Sequence, residues 1–278
     1  MNSQALTACL LLCLGAAGTG IAAPATPPPG QIAISPSIVE LAVGQEPANG
    51  SIRMQNLKKE PVTVKVEVYN WTLDEQNNIR LIPGDPQSLD RWLLISPVRF
   101  KMEPGGNQVI RYSIRPDVKP DPGEHRAMIY LTEQSGEGVN QGKGFQVLFR
   151  YGLAMYGYSG ANRESAEIEG LWLDHDRLAV KASVRNTGNV HTRLTGNYAV
   201  WEPGSFPGFK SMRSMFEKEG EAGKPEGLIA TGTLHSTPVL PGHRRTITEK
   251  LDITGPSGKC EIAIIGKIGG CRVEKVFK

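Results

Sequence analysis

Charge is missing from the first 23 residues, cysteine is scarce, and no apolar run reaches the roughly 18 residues that a membrane helix needs. The uncharged start carries a leucine-rich run, Ala8 to Ala17, followed by small residues through Ala23. Residues 1–23 are therefore expected to be a secretory signal peptide cleaved near Ala22 to Ala25, one that lacks the usual basic start. Stable membrane insertion is not expected. Of the 4 cysteines, Cys9 and Cys13 fall in that segment, which leaves Cys260 and Cys271. In an exported chain such a pair is expected to form a disulfide, here across a hairpin made by the intervening EIAIIGKIGG.

The signatures of the common enzyme classes are missing too. There is no GxSxG elbow, HExxH, Walker loop, or GxGxxG after a strand. His175 sits between Asp174 and Asp176, but neighbours along a strand point to opposite faces, so a solvated turn is expected there and not a metal site. His125, beside Glu124, is expected to be ordinary surface. The 31 Lys and Arg are scattered among 28 Asp and Glu and form no stripe, so no nucleic-acid partner is expected. Neither an enzyme nor a cofactor nor a bound metal is expected.

Glycine (32) and proline (20) are plentiful, which suits many turns between short strands. At 278 residues the chain is long enough for two domains with cores of their own. Strands are predicted at 31–44, 50–57, 62–70, 78–82, 93–102, 107–115, 125–133 and 144–158, then at 166–173, 178–186, 191–201, 228–234, 244–253, 259–265 and 271–277. The stretch from Val62 alternates cleanly, with Val62, Val64, Val66 and Val68 on one face and Thr63, Lys65, Glu67 and Tyr69 on the other. The polar segment Ser159 to Arg163 is the best boundary, giving domains at 24–160 and 161–278. The fold class predicted is all-β, two tandem immunoglobulin-like β-sandwich domains. An internal echo supports the tandem: Met54-Gln55-Asn56 resembles Val184-Arg185-Asn186, and Glu103-Pro104-Gly105 resembles Leu240-Pro241-Gly242. One helix is predicted, at Lys210 to Glu219, because Phe209, Met212 and Phe216 recur at helical spacing.

The stretch Gly144 to Tyr158, GFQVLFRYGLAMYGY, organises the rest. Its odd positions Phe145, Val147, Phe149, Tyr151, Leu153 and Met155 are apolar, and its even positions are mixed. The apolar face fits two readings: a wall of its own domain's core, which is the commoner case, or a row left open at a sheet edge for another chain.

The run WLLISPVRFKMEPGGNQVIRYSIRP, followed by PGEHRAMIYLTE, resembles the first domain of PapD-like periplasmic pilus chaperones. Pro97, Glu103, Pro104, Gly105, Val109 and Arg111 carry the match, which covers about 130 residues and reaches the second domain only in architecture. The resemblance implies a non-enzymatic chaperone of the periplasm. Such a chaperone captures pilin or fimbrial subunits by lending them an edge strand and delivers them to an outer-membrane usher. The donor row would be Phe145, Val147, Phe149 and Tyr151. Family members also carry a basic pair that anchors the subunit's terminal carboxylate, and alignment places Ile38 and Gly152 there. Arg150, two residues earlier on the same face, can stand in through its bidentate guanidinium, or can be plain sheet surface. The alternative function is a tandem immunoglobulin-like structural or adhesion protein of the envelope.

Overall fold

The structure is a computed structural model that describes residues 32–134, 148–217, 225–253 and 260–278. The first half folds as β1 (Ile32–Ser35), β2 (Ile38–Ala42), β3 (Ala48–Asn56), β4 (Val62–Leu73), β5 (Ile79–Ile82), helix α1 (Leu89–Trp92), β6 (Leu93–Ser96), β7 (Arg99–Met102), β8 (Asn107–Ile114), β9 (Gly123–Gln134) and β10 (Arg150–Ser159). One sheet has the order β1-β3-β8-β6; the facing sheet runs β2-β10-β9-β4-β5, with β7 also on β4. Between them lie Ile52, Met54, Val62, Val64, Leu89, Trp92, Ile110, Ile129, Leu131, Leu153 and Met155. The predicted valine face of β4 is part of this core.

Two predicted strands are each divided in the structure. Residues 31–44 become β1 and β2, and residues 93–102 become β6 and β7, with the breaks at Pro36 and Pro97. Proline has no N–H to give a ladder, so each strand ends there and the chain crosses to the facing sheet.

The second half comprises β11 (Ala166–Asp174), β12 (Ala179–Asn186), β13 (Thr195–Trp201), helix α2 (Phe209–Glu217), β14 (Leu228–His235), β15 (Arg244–Lys250), β16 (Glu261–Ile268) and β17 (Cys271–Phe277). Its sheets are β11-β12-β15 and β14-β13-β16-β17, and they enclose Val180, Val184, Tyr198, Val200, Ile247, Ile262 and Ile264. The chain is thus all-β, with two immunoglobulin-like sandwiches. Helix α2 lies on the outer face of the second sandwich, where Met212 is buried against Ala199, Trp201 and Ala263. The small alanines make room for the helix, and the burial of Met212 contributes about 1.5 to 3 kcal/mol.

The internal echo has a structural cause. Asn56, fully buried, sends Nδ2 to the carbonyls of Glu60 (2.8 Å), Met102 (3.2 Å) and Glu103 (3.2 Å), while Oδ1 accepts from Lys58 N at 3.0 Å. Asn186 repeats this with Val190 O and Val239 O, each at 2.8 Å, and accepts from Gly188 N at 2.8 Å. Met102 and Val239 hold the same place, two residues before the Pro-Gly turn. In each sandwich one asparagine therefore ties a strand end to the turn that faces it.

The expected disulfide is corrected by the register of the last hairpin. Cys260 and Cys271 are free. Strands β16 and β17 pair from Ile268↔Cys271 at the turn out to Ile262↔Phe277, so Cys260 lies at the open end and Cys271 at the closed end. Eight residues of strand separate them by about 25 Å, and a disulfide needs Cα atoms within about 7 Å. Titration of residues 24–278, denatured without reductant, should give two reactive thiols per chain. A value near zero would restore the disulfide.

Candidate functional site

Strand β10 is held unequally along its two edges. On one side it pairs antiparallel with β9 along its whole length, from Arg150↔Thr132 to Ser159↔Gly123. On the other side β2 runs parallel to it, but only from Ala154↔Ile38 to Tyr158↔Ala42. Upstream of Ala154 no described strand pairs with that second edge, because β1 has crossed to the facing sheet and pairs with β3. Among the described residues the flank of the first sandwich is therefore open between β1 and the first half of β10. Ile32, Ile34, Phe149 and Tyr151, half-buried and packed against the core, lie along it.

The polarity of the open edge follows from the ladder. Glu133 N donates to Phe149 O at 2.9 Å, so residues 149, 151 and 153 turn their N–H and C=O groups toward β9. Tyr158 O accepts from Val43 N at 2.8 Å on the opposite side, as even positions should. Arg150 and Gly152 thus direct their backbone groups to the open side. Unpaired edge groups of this kind are a template for another strand.

The predicted site residues fare differently. Phe145 and Val147 lie outside the described residues. Phe149 and Tyr151 sit on the open flank but rest partly on their own core, which continues the same face through Leu153 and Met155. Arg150 is exposed, with its guanidinium carbon 3.9 Å from the centroid of the Tyr130 ring, where the aromatic face attracts the cation. Ile38 pairs with Ala154, two residues along β10 from Gly152, and neither Ile38 nor Gly152 is basic.

Sequence reasoning missed the cleft between the sandwiches. The outer face of the β10 sheet is covered there, as Trp71, Leu73, Met128 and Tyr156 pack with Leu240 of the second sandwich. Buried among them is Glu124, whose Oε1 accepts from Arg126 Nη1 at 2.9 Å and whose Oε2 accepts from the backbone N of His191 at 2.8 Å. The His191 ring completes the contact through Nδ1 at 2.5 Å and stacks on Tyr156 with centroids 4.5 Å apart. Burial pushes the Tyr156 hydroxyl up to about 12. Farther out, a cleft of about 540 Å³ is lined by Glu40, Tyr158, Glu164, Arg193 and Lys267 among others, so its two lysine and arginine side chains come from the second sandwich. His125, expected at the surface, is buried; its ring nitrogens lie 2.6 Å from Gln87 O and 2.9 Å from Asp121 O, and it packs on Trp92. The sequence signal for this region was the acid-His-Arg run Glu124-His125-Arg126 at the start of a long strand.

No family model matches the sequence, and no curated protein matches it. Among solved structures the chain is similar to the CsuC–CsuE chaperone–tip adhesion subunit complex from the archaic chaperone-usher Csu pili of Acinetobacter baumannii. The identity is 13%, 88% of this chain and 97% of that one are covered, and the TM-score is 0.46. It is similar to the class 5 fimbriae chaperone CfaA at 12% identity, 88% and 98% coverage and TM-score 0.46. It is also similar to the Salmonella enterica SafA pilin–SafB chaperone complex at 12% identity, 89% and 94% coverage and TM-score 0.45.

Proposed function

We propose that this chain is a periplasmic chaperone of pilus or fimbrial subunits. It captures a subunit whose sandwich lacks a strand, lends it the open edge of β10, and releases it to an outer-membrane usher. The observation that carries this reading is the half-paired state of β10: upstream of Ala154 its outer N–H and C=O groups have no ladder among the described strands, while the side chains of Phe149 and Tyr151 lie half-buried on the core face along the same flank. A partner strand added there gains main-chain hydrogen bonds, and its own apolar side chains meet the flank formed by Ile32, Ile34, Phe149 and Tyr151. Each large side chain buried contributes about 1.5 to 3 kcal/mol, and three or four outweigh the cost of ordering one strand. In the sequence the same apolar row extends upstream through Val147 and Phe145. For the subunit's carboxylate, Arg193 and Lys267 stand in the cleft, while the guanidinium of Arg150 lies over Tyr130 on the β9 side.

The test removes one outward N–H. Proline is tolerated at an edge where the N–H faces away from the sheet, so Arg150→Pro should keep the fold. Its melt should lie within a few degrees of wild type, apart from the lost contact with Tyr130. Co-purification of pilus subunits from the native periplasm should be abolished, and Arg150→Gln, which keeps the N–H, should retain it in large part. Unimpaired capture by Arg150→Pro would remove β10 as the donor and favour a structural or adhesive role in the envelope.

A further inference from the structure

The ladder between β10 and β9 ends in an unusual way. One pair beyond Arg150↔Thr132, Phe149 faces Glu133, and Glu133 N donates to Phe149 O in the regular manner. The reciprocal bond is not made to a backbone carbonyl. Phe149 N donates at 3.2 Å to Oε2 of the Glu133 side chain. Lys58 Nζ grips the same carboxylate at 2.7 Å and 2.8 Å, with 16% of the lysine and 9% of the glutamate side chain exposed, and lies 5.8 Å from the centroid of the Phe149 ring. Lys58 comes from the turn after β3, and its own N is held by buried Asn56.

This ion pair occupies a place that an apolar side chain would fill at lower cost. Glu133 continues the core face of Ile129 and Leu131, and its strand neighbour on β4 is the fully buried Val64. A carboxylate there must be desolvated and matched by a cation, and apolar replacements of such pairs are often as stable or more so. What the carboxylate supplies, and a leucine could not, is an acceptor for Phe149 N reached from the side chain. It pins the last pair of the ladder while drawing that N–H off the backbone carbonyl that would continue it.

We infer that Lys58 and Glu133 are positioning residues that fix where β10 leaves its own sheet, and hence the register in which its open edge meets another strand. The inference builds on the donor role proposed for β10. From Phe149 to Leu153 the strand is held by β9 alone among the described strands, so fraying from the Phe149 end would reach the whole open stretch. A clamp at that end makes the edge ready before a partner arrives, and a partner strand then orders less chain on binding. Because Lys58 hangs from the Asn56 tie, the clamp is referenced to both sheets and not to β9 alone.

Hydrogen exchange read by NMR on the full chain tests this without any partner. The amides of Phe149 and Tyr151 face β9, and that of Ile110 faces Ile52 in the other sheet, where it reports global opening. In Glu133→Ala and Lys58→Met, Tyr151 should exchange about tenfold faster or more, beyond any change at Ile110. Glu133→Gln, which keeps a side-chain acceptor for Phe149 N, should return Tyr151 to within about threefold of wild type. Equal acceleration of Tyr151 and Ile110 in both variants would reduce the pair to general stabilisation and overturn the inference. Failure here leaves the Arg150→Pro capture test standing, and failure of capture leaves the local effect of the clamp measurable.

Discussion

Asn56→Asp should lower the melting temperature of the first sandwich by about 10 °C, although it changes no volume. The amide nitrogen of Asn56 reaches three carbonyl oxygens, and a carboxylate in its place would face those oxygens with no proton to give. A buried acceptor opposed to other acceptors costs about 3 kcal/mol or more, and for a domain of this size each kcal/mol is about 2 to 8 °C. The loss should diminish in acid, where the aspartate regains a proton. Asn186→Asp should act in the same way on the second sandwich, with two carbonyls facing the carboxylate. Calorimetry should therefore show a lower transition split off in each variant, that of the first sandwich in one and that of the second in the other. A melt within a degree or two of wild type would mean that the carbonyls find other donors.

The same asparagine shows what the sequence made legible and why. Met54-Gln55-Asn56 and Val184-Arg185-Asn186 were readable as an echo because the tie demands the same residue at the same distance from a turn. Strand positions were legible where one face is wet, as with Val62 to Val66. Period two misleads at the far end of β4, where Trp71 and Leu73 are buried on the face opposite the valines. The cause is the second sandwich, which covers that part of the sheet, and local pattern cannot register a cover about 170 residues away. The EIAIIGKIGG segment, expected to be a whole hairpin, is a single strand, β16, and the turn that follows it. The disulfide was lost because the turn falls at Gly269-Gly270, beside Cys271, and not midway between the cysteines. In the organising strand the apolar face was legible but its use was not. The open half is defined by where β2 stops pairing, and that follows from the break at Pro36.

Glu124→Gln should cost about 3 kcal/mol at neutral pH and should uncouple the two sandwiches. The glutamate side chain has no exposed area, yet it joins Arg126 of the first sandwich to the ring and backbone of His191 in the second. The strand comes in close at this point: a Cβ on Gly123, whose φ is +127°, would lie 2.6 Å from Asn189 O, and Glu124 N donates to that same oxygen at 2.9 Å. Glutamine keeps the shape but gives up the charge, leaving Arg126 without its anion. Burial pushes the Glu124 carboxyl up, but the His191 hydrogen bond and the charges of His191 and Arg126 prevail and hold it below its ordinary value of 4.5. A carboxylate with a depressed folded pKa stabilises the native state fully above the unfolded value. That contribution is lost as pH falls from 4.5 through the folded value. The stability difference between wild type and Glu124→Gln should accordingly hold its full size above about pH 5 and shrink below about pH 4, while the wild-type melt broadens toward two transitions. A difference that stayed constant across that range would show that the contact acts by shape alone, and that the charge of Glu124 does not hold the two sandwiches together.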